Sequence, residues 1–190
     1  MKRLFPCVCL VLLLIAVHSF AGSATWNLDP VDNDWNNPAN WTPNTVPNGP
    51  NDVATFEASN QTAVIVSPST EVNELIFSPG ASGFTINVSK GQTFTISGTR
   101  ITNSSGISQN LVIEKTSHLD VTNSATVGEL TIFTLLGGTG SFGSGGAIFF
   151  LDTSSAGNGT FVVNGAADDF GNGAAIGFSS NATAGNGTFK

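Results

Sequence analysis

Apolar side chains recur at every second position through most of this chain. Val64-x-Val66, Leu75-x-Phe77, Phe84-x-Ile86-x-Val88 and Phe94-x-Ile96 come first. Leu111-x-Ile113, Leu119-x-Val121, Leu130-x-Ile132, Ile148-x-Phe150, Phe161-x-Val163 and Ile176-x-Phe178 follow. Alternation of this kind sends the apolar groups to one face of an extended strand. Between the runs lie Ser-Pro-Gly, Ser-Lys-Gly, Asn-Ser-Ser-Gly and Gly-Asn-Gly, which are turn signals. Beyond the first two dozen residues no stretch carries a sustained helical stripe, so the pattern predicts an all-β protein.

The strands also repeat. "GGAIFFLDTSSAGNGTF" at 145–161 aligns without gaps on "GAAIGFSSNATAGNGTF" at 173–189, an offset of 28 with ten of seventeen positions identical. "TVGELTIF" at 126–133 is a degenerate copy of "SAGNGTFV" at 155–162, matching Gly128, Thr131 and Ile132 to Gly157, Thr160 and Phe161; "QTFTISG" at 92–98 resembles "GTFVVNG" at 159–165. A period of this length with short strands marks a solenoid or a propeller. Propeller blades need about forty residues and four strands, so a solenoid is preferred. The expectation is a right-handed parallel β-helix, with Phe150 over Phe178, Phe161 over Phe189, and Asn158 over Asn186. Gly157, Gly159, Gly185 and Gly187 are expected to allow tight corners with φ > 0. For residues 53–121, where the repeat is weakest, a two-sheet β-sandwich stays open.

Before the β pattern starts, Met1-Lys2-Arg3 is cationic, Leu4 to Val17 is almost wholly apolar, and Ser19-Phe20-Ala21 places small residues for cleavage. This is the layout of a secretory signal peptide, residues 1–21, or 1–24 with a second cut after Ala24. Cys7 and Cys9 lie inside it and are read as apolar filling. Beyond it no cysteine is left for a disulfide, and four cations face 13 acidic residues, a formal charge of −9. Nucleic acid and anionic membranes are therefore disfavoured as partners.

Residues 22–56 carry all three Trp and five of the eight Pro but lack clear alternation before Val53. A solenoid end exposes apolar core and unpaired strand groups, and an irregular, Trp-rich segment suits a cap over it. Residues 57–190 are then the coils. Two other uses of the segment compete. Trp26, Trp35 and Trp41 stacked on sugar rings would form a carbohydrate-binding platform. Asp32-x-Asp34-x-Asn36 has the spacing that starts a calcium loop, but Asn37 and Pro43 stand where Gly and Glu are needed, so Asx turns are preferred and no metal is assigned.

"TWNLDPVDNDWNNPANWTPNTVPNGPNDVATF" resembles the opening of large secreted bacterial proteins with autotransporter-associated β-strand repeats, and "TSSAGNGTFVVNG" and "NATAGNGTF" are similar to the repeats that follow in that group. The resemblance spans Trp26 to Lys190. It implies a parallel β-helix stalk or passenger, outside the cell or at its surface, with adhesion as the usual role. The family is long and ends in an export barrel or a sorting segment. The last copy here stops at AGNGTFK where the preceding one continues VVNG, so the chain is expected to be the N-terminal part of a longer product, with any membrane contact made further on.

Candidate chemistry is sparse. Sugar hydrolysis generally needs two carboxylates facing across the scissile bond. Asp168 and Asp169 are adjacent and read as a solvated turn, and sequence alone does not bring Asp120 near Glu129. His118, the one histidine past the signal, shares a strand face with Asp120, but no nucleophile-elbow context accompanies them, and a lone His does not build a zinc site. Sequons at Asn40, Asn60, Asn87, Asn103, Asn158, Asn181 and Asn186 exceed chance only modestly and are read as unmodified. No catalytic residue and no cofactor is assigned. The leading expectation is a non-enzymatic secreted or cell-surface repeat protein whose partner is extracellular polysaccharide or another cell surface. The alternatives are a carbohydrate-binding module, or the front of a polysaccharide-active β-helix enzyme whose catalytic residues lie beyond Lys190.

Overall fold

A computed structural model describes residues 22–141 and 143–190; the signal-peptide segment 1–21 lies outside the described residues. Extended backbone dominates, and a three-residue 3-10 turn at Pro38–Asn40 is the one helical element among the described residues. The strands are β1 (Ala24–Trp26), β2 (Trp41–Thr42), β3 (Gly49–Phe56), β4 (Ala63–Val66), β5 (Thr70–Phe77), β6 (Thr85–Val88), β7 (Thr93–Asn103) and β8 (Gln109–Ile113). They continue with β9 (His118–Val121), β10 (Thr126–Val127), β11 (Thr131–Leu135), β12 (Ala147–Phe150), β13 (Thr160–Val163), β14 (Ala175–Phe178) and β15 (Thr188–Phe189).

These strands stack into two sheets. The larger runs β14-β12-β9-β7-β5-β3-β1-β2, with β10 also paired to β7; the smaller runs β15-β13-β11-β8-β6-β4. Every pairing is parallel except β1 with β2. From β3 onward successive strands alternate between the two sheets, apart from β9 and β10, which both lie in the larger one, so each circuit of the chain adds to both. The six-stranded smaller sheet gives a parallel β-solenoid of six turns. A β-sandwich for residues 53–121 is excluded, because its sheets would be antiparallel, whereas β4, β6 and β8 pair in parallel with Ile86 set between Val64 and Leu111.

Alternate residues of the two sheets face each other across one continuous core. Phe133, Phe161 and Phe189 form a column with ring spacings of 4.8 and 5.0 Å at 7° and 12°. Phe150 lies 4.9 Å from Phe178 at 9°, and Ala147–Phe150 pairs residue for residue with Ala175–Phe178. The polar ladder forms too, with Asn186 Nδ2 donating to Asn158 Oδ1 at 3.3 Å. A coil cannot bury its inward face alone, so stability is the sum of such neighbour contacts.

Four expectations change. In β11 the inward residues are Thr131, Phe133 and Leu135, while Leu130 is 46% exposed and Ile132 faces outward. Pairing fixes that choice: Phe133 sits between Leu111 and Phe161. Leu130 absorbs the offset with φ +53, so the 126–133 copy runs one position out of step with the sequence match at its end. The likeness of 92–98 to 159–165 has no structural counterpart, since Phe94 lies in the larger sheet and Phe161 in the smaller. Gly157 and Gly185 do have positive φ, but Gly159 and Gly187 do not. A Cβ on either would press against the Phe161 or Phe189 ring at 3.0 or 3.2 Å, so closeness selects glycine there. Finally β3, placed in the cap by the sequence division, is a full strand of the larger sheet.

Candidate functional site

The Trp-rich segment covers both sheets at one end of the solenoid. β1 adds to β3 in parallel and β2 folds back on β1, which closes the larger sheet. Asp34 bridges to Ile65 of β4: the Trp35 N–H donates to the Ile65 carbonyl at 2.9 Å, and the Ile65 N–H to the Asn33 carbonyl at 2.8 Å. The smaller sheet is closed as well.

The three indoles fill the space between. Trp26, Trp35 and Trp41 are 1%, 0% and 0% exposed. Trp41 lies edge-on to Trp26 and Trp35 at 5.1 and 4.9 Å, and all three approach Phe56 within 6.0 Å. Trp35 reaches further in, to Phe94 at 5.3 Å. Each indole N–H finds a carbonyl: Trp26 donates to Gln61, Trp35 to Pro47 and Trp41 to Trp35, at 3.1, 2.9 and 2.7 Å. A buried polar group without a partner costs free energy, and here none of the three is orphaned. With their faces occupied by other rings, Trp26, Trp35 and Trp41 offer no sugar-stacking platform in this fold, which corrects that expectation.

Asn40 organises the loop that holds the indoles. It is fully buried. Its Oδ1 accepts from the N–H groups of Val31 and Asp32 at 2.8 and 3.2 Å, and its Nδ2 donates to Asp32 Oδ1 and the Asp34 carbonyl at 2.6 and 2.8 Å. Nothing is left for a glycan at that sequon. Asp32 Oδ1 also takes the Asp34 N–H and Oδ2 takes Asn37 Nδ2; Asp34 Oδ1 takes the Asn36 N–H. These are Asx turns. The Asn40 amide, then the Asp34 N–H and the Asn37 amide, hold the Asp32 carboxyl below its ordinary value.

Among the described residues no group of three or more His, Cys, Asp and Glu converges to hold a metal. His118 and Asp120 do share the outward face of β9. Beside them, the Phe149 ring meets the His118 ring edge-on at 5.4 Å and leans over Gly177, where an added Cβ would lie 3.0 Å from it. Asp120 Oδ1 is buried without a hydrogen-bond partner, and burial pushes this carboxyl up against the opposing pull of His118. Glu129 lies between β10 and β11, away from this face. Asp168 caps a turn: Oδ1 accepts from Phe170 and Gly171, and Oδ2 from Gly140, at 3.1, 2.8 and 2.7 Å. Those N–H groups, Gly140 first, lower its pKa.

A lateral groove of about 490 Å³ opens where β10 covers only part of β7, lined by Arg100, Thr102, Asn103, Thr126, Glu129 and Asn158. Arg100 approaches Glu74 at 3.7 Å but keeps most of its side chain exposed, and the Thr102 hydroxyl donates to Glu74. The sequence reading missed this groove, because stacking across turns, and not spacing along the chain, brings 99–103 beside 126–129. Compared with known proteins, the chain matches no family model, no curated protein and no solved structure.

Proposed function

We propose that this chain is the capped front of a secreted or cell-surface β-helical scaffold, a stalk or passenger of the autotransporter-associated repeat kind, and that it does no chemistry. The observation that carries the reading is the front of the stack, where three buried indoles and strand pairing seal both sheets ahead of the parallel coils. A sealed start followed by coils stacked in parallel suits a part that sets length and presents a lateral surface. At about 4.8 Å per stacked strand the six turns span roughly 29 Å.

Export is read from the leader-like residues 1–21. A cut after Ala21 leaves β1 whole, whereas a cut after Ala24 removes Ala24, which is buried and paired with Ala54. Expression in a secretion-competent cell with mass spectrometry of the N-terminus tests this. Gly22 as first residue in the extracellular or surface fraction is the expected result; retention inside the cell with Met1 intact refutes export.

A second reading is carbohydrate binding on the lateral face. What favours it is the groove at Arg100, with hydroxyl, amide and carboxylate groups within reach of a polar sugar. Glycan-array binding that falls on Arg100→Ala with β circular dichroism intact would support it, and an array without hits would exclude it.

A further inference from the structure

The outer faces of the two sheets differ in charge and in regularity. Glu71, Arg100, His118 and Asp120 stand on the outside of the larger sheet, whose pairing slips between Gly49 and Val53 and again between Val72 and Glu74. The smaller sheet keeps its register, with Ile86, Leu111, Phe133 and Phe161 stacked on the inside of β6, β8, β11 and β13. Outside, Thr85, Asn110, Ile132 and Thr160 form one column. Asn87, Val112, Thr134 and Val162 form the next. None of the residues in these columns is buried, and none is ionisable or aromatic.

The array is also flat. The Phe133 and Phe161 rings behind it are tilted by only 7°, whereas neighbouring strands in most sheets rotate by about 20–25°. The columns therefore run nearly straight, with rungs about 4.8 Å apart and alternate side chains about 6.7 Å apart along each strand. Asn87 is fixed at the rim, where its Nδ2 donates to Glu114 Oε1 at 3.1 Å.

A partner for this face has to be flat, neutral and periodic. Protein interfaces are anchored by Trp, Tyr and Arg seated in pockets, and sugar sites by aromatic rings on which the pyranose stacks; the columns supply neither. They supply methyl groups, which restrict the orientation of the water over them, and hydroxyl and amide groups, which hold that water by hydrogen bonds. The rungs repeat at close to the spacing of oxygen rows in hexagonal ice. We propose that the outer face of β6, β8, β11 and β13 binds ice. Ordered water on the two columns merges with the crystal, while a charge there would hold water in a shell of its own. Neither export nor a scaffold role is needed for this.

Nanolitre osmometry of the purified protein is expected to show faceted ice growth and a gap between melting and freezing points. The protein is also expected to partition into slowly grown ice. Thr134→Lys and Val112→Lys each place an ammonium in the plane without touching the core, and are expected to lose both properties. Thr95→Lys, on the outside of the larger sheet, is the control and is expected to keep them. Circular dichroism checks the β fold of all three. Unshaped ice and no partitioning of the parent overturn the proposal, as do folded Thr134→Lys and Val112→Lys proteins that match the parent. Retention on microcrystalline cellulose without partitioning into ice assigns the face to a crystalline polysaccharide and overturns it too. A dimer that Thr134→Lys dissolves, again without ice binding, assigns the face to a second copy, with the same consequence.

Discussion

The Trp41 indole donates its N–H to the backbone carbonyl of Trp35, 2.7 Å away, while the two ring systems meet at 4.9 Å and 67°. One residue thus satisfies a buried polar group and fills the cap. Trp41→Phe keeps most of the volume but removes the donor, and is expected to lose about 1–3 kcal/mol of unfolding free energy. Trp41→Ala adds a cavity and is expected to lose about 3–5 kcal/mol. Urea denaturation followed by circular dichroism measures both; no loss in either would mean that the indole does not seal the end.

Gly157 combines a φ of +55 with a position where a Cβ would run into the Val127 carbonyl oxygen. The left-handed conformation alone costs a side chain about 1–2 kcal/mol, and the contact is with backbone that cannot swing away. Gly157→Ala is expected to lower thermal stability clearly. Gly165→Ala, with nothing within 4 Å of its Cβ, is the control and should stay within about 0.5 kcal/mol of the parent.

Position along the Phe column should grade the effect of truncation. Phe161 is fully buried between Phe133 and Phe189, whereas Phe189 is 42% exposed. Phe161→Ala is expected to cost about 3–5 kcal/mol. Phe189→Ala is expected to cost much less, because half of its surroundings is solvent. Thermal melts that rank the two the other way would mean that the end turn is packed against something else.

Acid titration should separate two kinds of carboxylate. Asp32 and Asp168 are held below the ordinary 3.8, so the stability they contribute is present above that value and fades as pH falls through their lower folded pKa. Asp120 is raised by burial, with His118 opposing. Its charged form is disfavoured in the fold, so the protein carries a penalty above its folded pKa that is relieved as pH falls toward 3.8. Asp120→Asn is therefore expected to raise the melting temperature near neutrality, with the gain shrinking in acid. A gain that is constant with pH would show that ionisation is not its cause.

Much of the fold is legible along the chain. The Phe84-x-Ile86-x-Val88 and Leu111-x-Ile113 alternations state which face is inward, and the duplicated AGNGTF states which turns stack. Residues 131–135 show where local reading fails. Ile132 and Phe133 are both apolar, and the parity is decided by Leu111 and Phe161 on neighbouring turns. Asn40 was visible only as part of a sequon, since its four partners are backbone and side-chain groups gathered by the loop.

By itself the sequence determined that the chain is all-β, that one segment, 145–161, is repeated 28 residues later, and that a Trp- and Pro-rich segment stands before the β pattern. These are properties of spacing and composition, which need no partner to be read. The tertiary structure alone decided that the three indoles are sealed inside, that Arg100 borders a groove, and that Phe133 and not Ile132 faces the core. Exposure is a relation between turns, and an aromatic residue has the same letter whether another coil lies on it or water does.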